Sequence, residues 1–323
     1  MSTGTDPLAP LAELPGVSES VAEVRKAVDR LYGHRVMRRR APEVTAEAAL
    51  RGARASAALA GADWPLEEVR RRSDFSAGAE ERTVGGALRI SAEAGQLLSV
   101  WRTSPLQVLA RLHLLAATDP SATAGPAAAT TAGAAAGRPR RSGEAPEELF
   151  PLELAAAEGV AAAPSDPLLA RSEAAADQAR SSAATVLPPA PSADEVAARL
   201  DQLAQLLVTR LSGAQGGAPA LVTAAVVHGE LLALRPFPNY NAVVARAAQR
   251  IVLIAEGLDP KAICPAEVGL VELGTAAYRE ALAGYVSGTP QGLARWIAHC
   301  GLALRLGVRE STAVCEAMQR GMV

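Results

Sequence analysis

The sequence contains little lysine and few aromatic residues. Lysine occurs only at Lys26 and Lys261, and aromatic residues make up 3% of the 323. The formal net charge is −2. Proteins that bind nucleic acids present basic faces and rings on which bases stack, so this composition argues against a nucleic-acid partner. The shortage of lysine beside abundant arginine is typical of codon bias rather than of a chemical role.

Cysteine and long apolar runs are also scarce. The three cysteines, Cys264, Cys300 and Cys315, are widely spaced and form neither a zinc-binding pattern nor a disulfide framework. No apolar run reaches the ~18 residues that would cross a bilayer. The segment 1–10 lacks the basic and apolar stretches of an export signal. These absences predict a cytoplasmic protein with no metal site and no membrane association.

The residues that are abundant are hydrophobic: they make up 49% of the chain and are mostly aliphatic. They recur at helical spacing, and no segment alternates as a strand would. The sequence therefore predicts an all-α protein with an N-terminal helical region at 1–116, a low-complexity insertion at 117–187 and a helical core at 188–323. Stretches such as 126–137 contain almost no bulky apolar residue, so we expect the insertion to be mostly disordered, with one short helix at 147–158.

The predicted core begins with a clear helix signal, because Ser192 stands three residues before Glu195 in the pattern of a capping box. The segment 220–234 is apolar on nearly every face, as expected for a buried central helix. Two prolines exclude a helix between 235 and 239, and a second apolar helix is predicted from 241 to 256.

A basic cluster follows the first long predicted helix and consists of His34, Arg35, Arg38, Arg39 and Arg40. Two interpretations are open. The arginines form a patch for an anion or a protein partner, or they are a solvated helix end at which cations suit the C-terminal dipole.

The most informative arrangement is the proline-rich loop between the two apolar helices. A tight loop that leads into a helix directs backbone N–H groups toward the helix start, which favours an anion there. The run reads Arg235-Pro236-Phe237-Pro238-Asn239-Tyr240-Asn241-Ala242-Val243-Val244-Ala245-Arg246. It resembles the signature of the Fic (Fido) family: His-Pro-Phe, two residues of which the second is acidic, Gly-Asn-Gly-Arg, two residues, and Arg. The flanking elements, which include His228 seven residues before the loop, follow the family's order as well.

The resemblance implies an all-α fold and an enzyme that transfers AMP from ATP to a protein hydroxyl with a divalent metal. It also implies a role for each position of the run. Arg235 stands in place of the histidine that acts as general base, and a guanidinium cannot accept a proton near neutral pH. Asn239 replaces the metal-binding acid. Tyr240 and Ala242 replace the glycines that let the backbone approach phosphate, and Val243 replaces the first arginine.

Phe237, Asn241 and Arg246 match the signature. The resemblance implies that Asn241 and Arg246 bind phosphate. Their residue types allow another interpretation, in which Phe237 anchors the loop in the core and Asn241 caps the helix or braces the loop. Arg246 then pairs with Glu230 or another acid. His228 is either a surrogate base or a packed helix histidine.

A second motif resembles the self-inhibiting helix of many family members, which reads Ser or Thr, three residues, Glu, then Gly or Asn. The glutamate of that helix pairs with the second arginine of the signature. Ser56-Ala57-Ala58-Leu59-Ala60-Gly61 matches the frame, with Ala60 in the glutamate position. The resemblance implies an inhibitory-motif remnant at Ser56, Ala60 and Gly61 that lost its carboxylate along with the catalytic residues.

The leading hypothesis is a Fic-like protein that no longer transfers AMP, needs no cofactor and acts on a protein partner as a binding or regulatory module. Losing a positioned general base alone typically lowers a rate ~10²–10⁴-fold. Two alternatives remain open. One is an active transferase, either for AMP or for another phosphorylated donor that Arg235 and Arg246 clamp together. The other is a nucleotide sensor that binds without turnover. ATP and Mg²⁺ would be ligands only under these alternatives.

Overall fold

The computed structural model of the chain describes residues 6–118, 136–157, 187–212 and 217–322. Over these ranges the regular structure is helical, which confirms the predicted all-α class. None of the helices in the described ranges is long and apolar enough to cross a membrane. The α-helices, numbered in chain order, are α1 Ala9–Ala12, α2 Val17–Tyr32, α3 Met37–Ala58, α4 Leu66–Arg71, α5 Ala79–Glu93, α6 Leu98–Trp101, α7 Pro105–Ala117, α8 Ala193–Ser212, α9 Ala220–Leu234, α10 Asn241–Ala255, α11 Ala266–Val286 and α12 Pro290–Gln319.

Helix α9 is central because its sequence is apolar on nearly every face and most of its residues are buried. The indole Nε1–H of Trp296 on α12 donates to the carbonyl of Ala225 at 2.7 Å. Gly229 permits this approach, since a Cβ there would lie 2.8 Å from the indole nitrogen. Helix α10 packs along α9, so the loop that joins them is held by two buried helices.

Helices α11 and α12 pack closely against each other. A Cβ on Gly269 would lie 2.0 Å from the carbonyl oxygen of Ala303, so only glycine fits at that crossing. Helix α11 is interrupted at Gly274, whose φ of 80° and ψ of 157° are open essentially only to glycine. The interruption turns the backbone of Thr275 toward a neighbouring segment.

The N-terminal helices share one apolar core with the rest of the chain. Helix α2 packs against α12, and α3 packs against α5 and α11. Gly301 on α12 allows the approach of α2, because a Cβ there would lie 2.4 Å from the hydroxyl of Ser20. This arrangement brings the C-terminal half of α3 against α10.

Arg38, Arg39 and Arg40 of the basic cluster lie in the first turn of α3, whereas His34 and Arg35 lie between the end of α2 and the start of α3. Arg38 and Arg39 are exposed. Arg40 departs from helical geometry, with φ −122° and ψ 24°, and its guanidinium binds Glu43 and the carbonyl of Met318. Cations at a helix N-terminus oppose the helix dipole. The interpretation as a dipole-stabilised helix end is therefore wrong for Arg38, Arg39 and Arg40, and the partner patch stays a prediction.

Part of the predicted insertion is built into the fold. We name residues 136–157 the strap; they run from the end of α7 across the loop between α9 and α10 to α11. Leu149 and Phe150 in the strap are 5% and 6% exposed. The expectation of disorder is wrong for the strap, and no helix forms over 147–157. Residues 119–135 and 158–186 of the insertion lie outside the described residues.

Candidate functional site

The loop between α9 and α10, residues 235–240, is the motif loop. It begins and ends with residues in the left-handed region, Arg235 at φ 45° and Tyr240 at φ 56°. This conformation costs a residue with a side chain roughly 1–2 kcal/mol. Phe237 offsets part of that cost: it is 2% exposed and stacks on His113 at a centroid distance of 4.2 Å. Phe237 is thus a core anchor beneath the loop.

Asn241 braces the motif loop from the first position of α10. Its Oδ1 accepts from the backbone N–H of Phe237 at 2.8 Å, and its Nδ2 donates to the carbonyl of Phe237 at 2.7 Å. The side chain is 1% exposed. Both ends of the amide are used within the loop, as the brace interpretation predicts, and phosphate binding by Asn241 stays a prediction.

Asn239, at the position of the family's metal-binding acid, binds His113 on α7. The Nδ1 of His113 accepts from the backbone N–H of Gly137 at 2.9 Å, which leaves the ring proton on Nε2 to donate to Asn239 Oδ1 at 2.9 Å. Burial lowers the pKa of His113, so the ring is neutral near pH 7. The amide oxygen of Asn239 carries no charge and already accepts a hydrogen bond, so these residues do not fit Mg²⁺ well.

Arg246 is 2% exposed and binds α3. Its Nε donates to the hydroxyl of Ser56 at 3.0 Å, and its Nη2 donates to the carbonyl of Ser56 at 2.8 Å. It does not pair with Glu230, which instead accepts two hydrogen bonds of 2.9 Å from Arg199. The structure therefore corrects the predicted Glu230 pairing and places Arg246 against Ser56, which lies in the segment that resembles the inhibitory motif.

The other residues of that remnant follow the end of α3. Ala60 and Gly61 form the turn after the helix, and Gly61 has a φ of 97°. The contact with the second arginine is made by the hydroxyl and carbonyl of Ser56, which are neutral. The position of Ala60 supplies no carboxylate.

His228 is a packed helix histidine. It is fully buried, its Nε2 lies 2.6 Å from the hydroxyl of Tyr278, and its Nδ1 lies 4.0 Å from the Sγ of Cys300. Burial, reinforced by the charge of Arg246, holds the pKa of His228 well below its usual range. These contacts connect His228 to Tyr278 on α11 and Cys300 on α12 and do not direct the imidazole toward the motif loop.

Arg235 points away from Arg246. Its Nη2 donates to the carbonyl of Pro188, which precedes α8, at 2.7 Å. Burial and the nearby charge of Arg140 lower the pKa of Arg235. Since Arg235 contacts the segment before α8 and Arg246 contacts α3, the structure does not bring the two guanidinium groups onto one ligand.

The other residues of the run are buried or half-buried. Pro236 is buried, and Ala242 and Val243 are buried on α10 at 5% and 2% exposure. Tyr240 is half-buried and hydrogen-bonds Thr83 on α5, and burial raises its pKa.

Two residues that the sequence analysis missed contact the motif loop most closely. Arg140 and Glu147, both in the strap, bind the backbone at the end of α9 and at the start of α10. The signal that could have revealed them is compositional. Charged and bulky residues return from Arg138 to Phe150 within an otherwise alanine-rich and glycine-rich stretch.

The described part of the molecule contains a small cavity and a surface groove. One, of about 10 Å³, holds about one water and lies beside Ser56, Arg250 and Glu267. The other is a surface groove of about 430 Å³ between the start of α7 and the middle of α8. Neither cavity is lined by Asn241 or Arg246.

The fold is shared with solved proteins, although no family model matches the sequence and no curated protein is detectably similar to it. A Fic family protein from Desulfovibrio desulfuricans G20 matches at a TM-score of 0.62 and 19% identity, over 93% of this chain and 75% of that one. A fragment of Fic-1 from C. elegans matches at a TM-score of 0.56 and 14% identity, over 93% and 73%. A variant of that fragment matches at a TM-score of 0.51. The chain therefore has the all-α Fic fold.

Proposed function

We propose that this chain is a binding module built on the Fic fold, which does not transfer AMP and requires neither ATP nor Mg²⁺. The observation that carries the proposal is Arg235 in the general-base position, with its guanidinium bound to the carbonyl of Pro188. An arginine stays protonated near neutral pH, so it cannot take a proton from a target hydroxyl.

The phosphate side of the motif supports the same proposal. Both ends of the Asn241 amide are bound to Phe237, and Arg246 is bound to Ser56. A nucleotide would have to break these hydrogen bonds in a buried setting before it made its own. Breaking a buried hydrogen bond without replacing it costs about 1–3 kcal/mol.

The partner that suits the chain is a protein with an acidic surface. Arg38 and Arg39 are exposed in the first turn of α3, where their charges oppose the helix dipole. Acidic side chains of a partner would offset that repulsion. The exposed arginines of the basic cluster are therefore our candidate contact surface.

The test of the proposal is label transfer. The purified chain is incubated with ATP labelled at the α-phosphate, with Mg²⁺ or Mn²⁺, and with cell lysate. We expect incorporation no higher than without the chain. Arg246→Ala is the informative variant, and Arg295→Ala, at an exposed position of α12, is its control. Label that is transferred by the wild type and by Arg295→Ala, but not by a folded Arg246→Ala, would overturn the proposal.

A thermal-shift screen against nucleotides and phosphorylated metabolites addresses the alternatives. A ligand at a hundred times its Kd stabilises a one-site protein by about 2.7 kcal/mol, which is easily measured. We expect no shift. Stabilisation that Arg246→Ala abolishes would favour the nucleotide-sensor alternative.

A further inference from the structure

The two helices that flank the motif loop lack, in their own sequence, the residues that usually close helix ends. Helix α9 ends at Arg235, which has a left-handed φ of 45° at a position that glycine commonly fills. Helix α10 is preceded by Tyr240, which is left-handed at φ 56° and whose side chain makes no capping hydrogen bond. Serine, threonine, asparagine or aspartate in extended backbone is usual there. Both ends of the loop therefore have a conformation that their residue types disfavour.

The strap binds the first of these ends through Arg140, which is 7% exposed. Its guanidinium donates to the carbonyl of Arg235 at 2.9 Å and also to those of Leu234 and Pro191. A cation is favoured among the free carbonyls at the C-terminus of a helix. Arg140 thus stabilises the end of α9 that no glycine closes.

The strap binds the second end through Glu147. Its Oε1 accepts from the N–H of Asn241 at 3.0 Å, and the carboxyl also accepts from the N–H of Tyr240. These are acceptors of the kind that a capping side chain would supply at the start of a helix. Here they come from a residue 94 positions earlier in the chain. Each left-handed residue is therefore bound by the strap through its own backbone.

The backbone of the strap also follows the loop between these two ends. The N–H of Arg140 donates to the carbonyl of Pro236 at 2.7 Å, and the N–H of Glu147 donates to the carbonyl of Pro238 at 2.9 Å. Proline has no N–H, so the loop offers only acceptors at these positions and the strap supplies the donors.

The contacts within the loop hold its middle. Phe237 stacks on His113, and both hydrogen bonds of the Asn241 amide go to Phe237. These contacts do not bind the carbonyl of Arg235 or the N–H of Tyr240. The two left-handed ends therefore depend on the strap more than the middle does.

The strap is anchored independently of the motif loop. The N–H of Leu154 donates to the hydroxyl of Thr275 at 3.0 Å, and the N–H of Thr275 donates to the carbonyl of Leu154 at 3.0 Å. Phe150 packs edge-on against Tyr278 at a centroid distance of 5.1 Å. Attachment to α11 keeps the strap in place against the loop.

We propose that the motif loop has two conformations and that the strap selects between them. With Arg140 and Glu147 bound, both ends of the loop stay left-handed. When the strap detaches, the ends relax together, because the loop joins two helices that remain packed and a change at one end has to be compensated at the other. The strap is thus a control element for the shape of the loop.

The inference concerns the conformation of the loop and does not rest on the proposed function. It is measured without any ligand, so its failure and the failure of that proposal are distinguishable. The left-handed region is disfavoured roughly 5–30-fold for each residue that carries a side chain. This factor sets the size of the effect that glycine should have at either end.

The first test is NMR of the full chain labelled with carbon-13 at the tyrosine Cα, whose chemical shift depends on φ and ψ. The chain has four tyrosines, and Tyr240→Phe assigns the signal of Tyr240. Arg140→Ala acts at the opposite end of the loop, yet we expect it to shift this signal. The signals of Tyr32 and Tyr285 should stay in place and report that the variant is folded. Glu148→Ala, at an exposed position of the strap, is the control and should leave all four signals unchanged.

Arg140→Lys provides a milder change in case Arg140→Ala does not fold. It keeps the charge but cannot span the carbonyls of Arg235 and Pro191. We expect a smaller shift of the Tyr240 signal in the same direction.

The second test asks whether backbone strain is what the strap opposes. Two double variants combine Arg140→Ala with either Tyr240→Gly or Tyr240→Ala. Both lose the phenol ring, and they differ only in the Cβ that makes the left-handed region costly. Amide hydrogen exchange is read on peptides that span 235–246. We expect protection at least roughly fivefold higher with glycine, the lower end of the range because glycine also gains freedom in the relaxed loop.

Three outcomes would overturn the inference. The Tyr240 signal of a folded Arg140→Ala or Arg140→Lys could match that of the wild type. Glu148→Ala could shift that signal as far as Arg140→Ala does. The glycine and alanine double variants could exchange at the same rate.

Discussion

Arg246 and Arg250 lie one turn apart on α10, and both are buried, at 2% and 8% exposure. Their surroundings differ. The Nη2 of Arg250 donates to both carboxylate oxygens of Glu267, at 2.9 and 2.8 Å. Arg246 binds the hydroxyl and carbonyl of Ser56, which are neutral, and the charge of Glu147 reaches it only through space.

The two arginines therefore differ in how their buried charge is compensated: Arg250 pairs with a carboxylate, and Arg246 binds neutral oxygens. A buried ion pair offsets the desolvation of its two charges, whereas a buried cation among neutral oxygens remains costly. The resemblance to the family's inhibitory helix gives this a meaning, because the position expected to supply the carboxylate is Ala60. Arg246 is thus a buried cation whose hydrogen-bond acceptors on Ser56 are neutral.

The largest effect on this comparison is expected when Arg250 loses its carboxylate partner, Glu267. Glu267→Ala leaves a buried charge without its partner, and we expect it to lower the free energy of unfolding by roughly 3–5 kcal/mol. Urea denaturation measures the change, with Glu316→Ala at an exposed position of α12 as the control. A loss below 1 kcal/mol would mean that Arg250 is no better neutralised than Arg246.

A smaller effect is expected from Glu147, the carboxylate whose charge faces Arg246. Its pKa in the folded protein is raised from 4.5 to about 7, so its contribution to stability is fully present below pH 4.5 and is lost as the pH rises through about 7. The loss amounts to at most about 3 kcal/mol. The difference in unfolding free energy between wild type and Glu147→Gln at pH 5 and at pH 8 isolates it from other titrating groups. An identical difference at the two pH values would contradict the prediction.

The smallest effect concerns two serines. Ser56→Ala removes a hydroxyl from Arg246 and should cost about 1 kcal/mol. Ser91→Ala removes the hydroxyl that lies 3.3 Å from Nη1 of Arg250, and it should cost less, because Glu267 still neutralises that arginine. Thermal unfolding of the two variants side by side tests the order. The reverse order would show that the comparison rests on the wrong residues.

The helices around the motif loop could be predicted because their signals are local. The predicted helix at 220–234 coincides with α9, and the one predicted at 241–256 matches α10 to within one residue. Apolar periodicity and two prolines were sufficient to place the loop between them. The brace by Asn241 was also within reach, since its two hydrogen bonds to Phe237 span only four residues.

The strap and the partner of Arg246 could not be predicted because their contacts are distant in sequence. Arg140 binds a carbonyl 95 residues away, and Arg246 binds Ser56 across 190 residues. The strap has no helical or strand periodicity, and it is held by hydrogen bonds to loop backbone that no side-chain pattern reports. Low complexity on both sides made it look like part of a disordered segment.

The break in α11 at Gly274 lies against the far end of the strap, away from the motif loop. A Cβ at this position would meet the backbone nitrogen of Ala156 at 2.8 Å and the carbonyl oxygen of Leu154 at 2.9 Å. Any side chain there would push the strap off α11 while every residue of the motif loop kept its identity. A single methyl group on a remote helix would thus be enough to uncouple the two parts of the molecule.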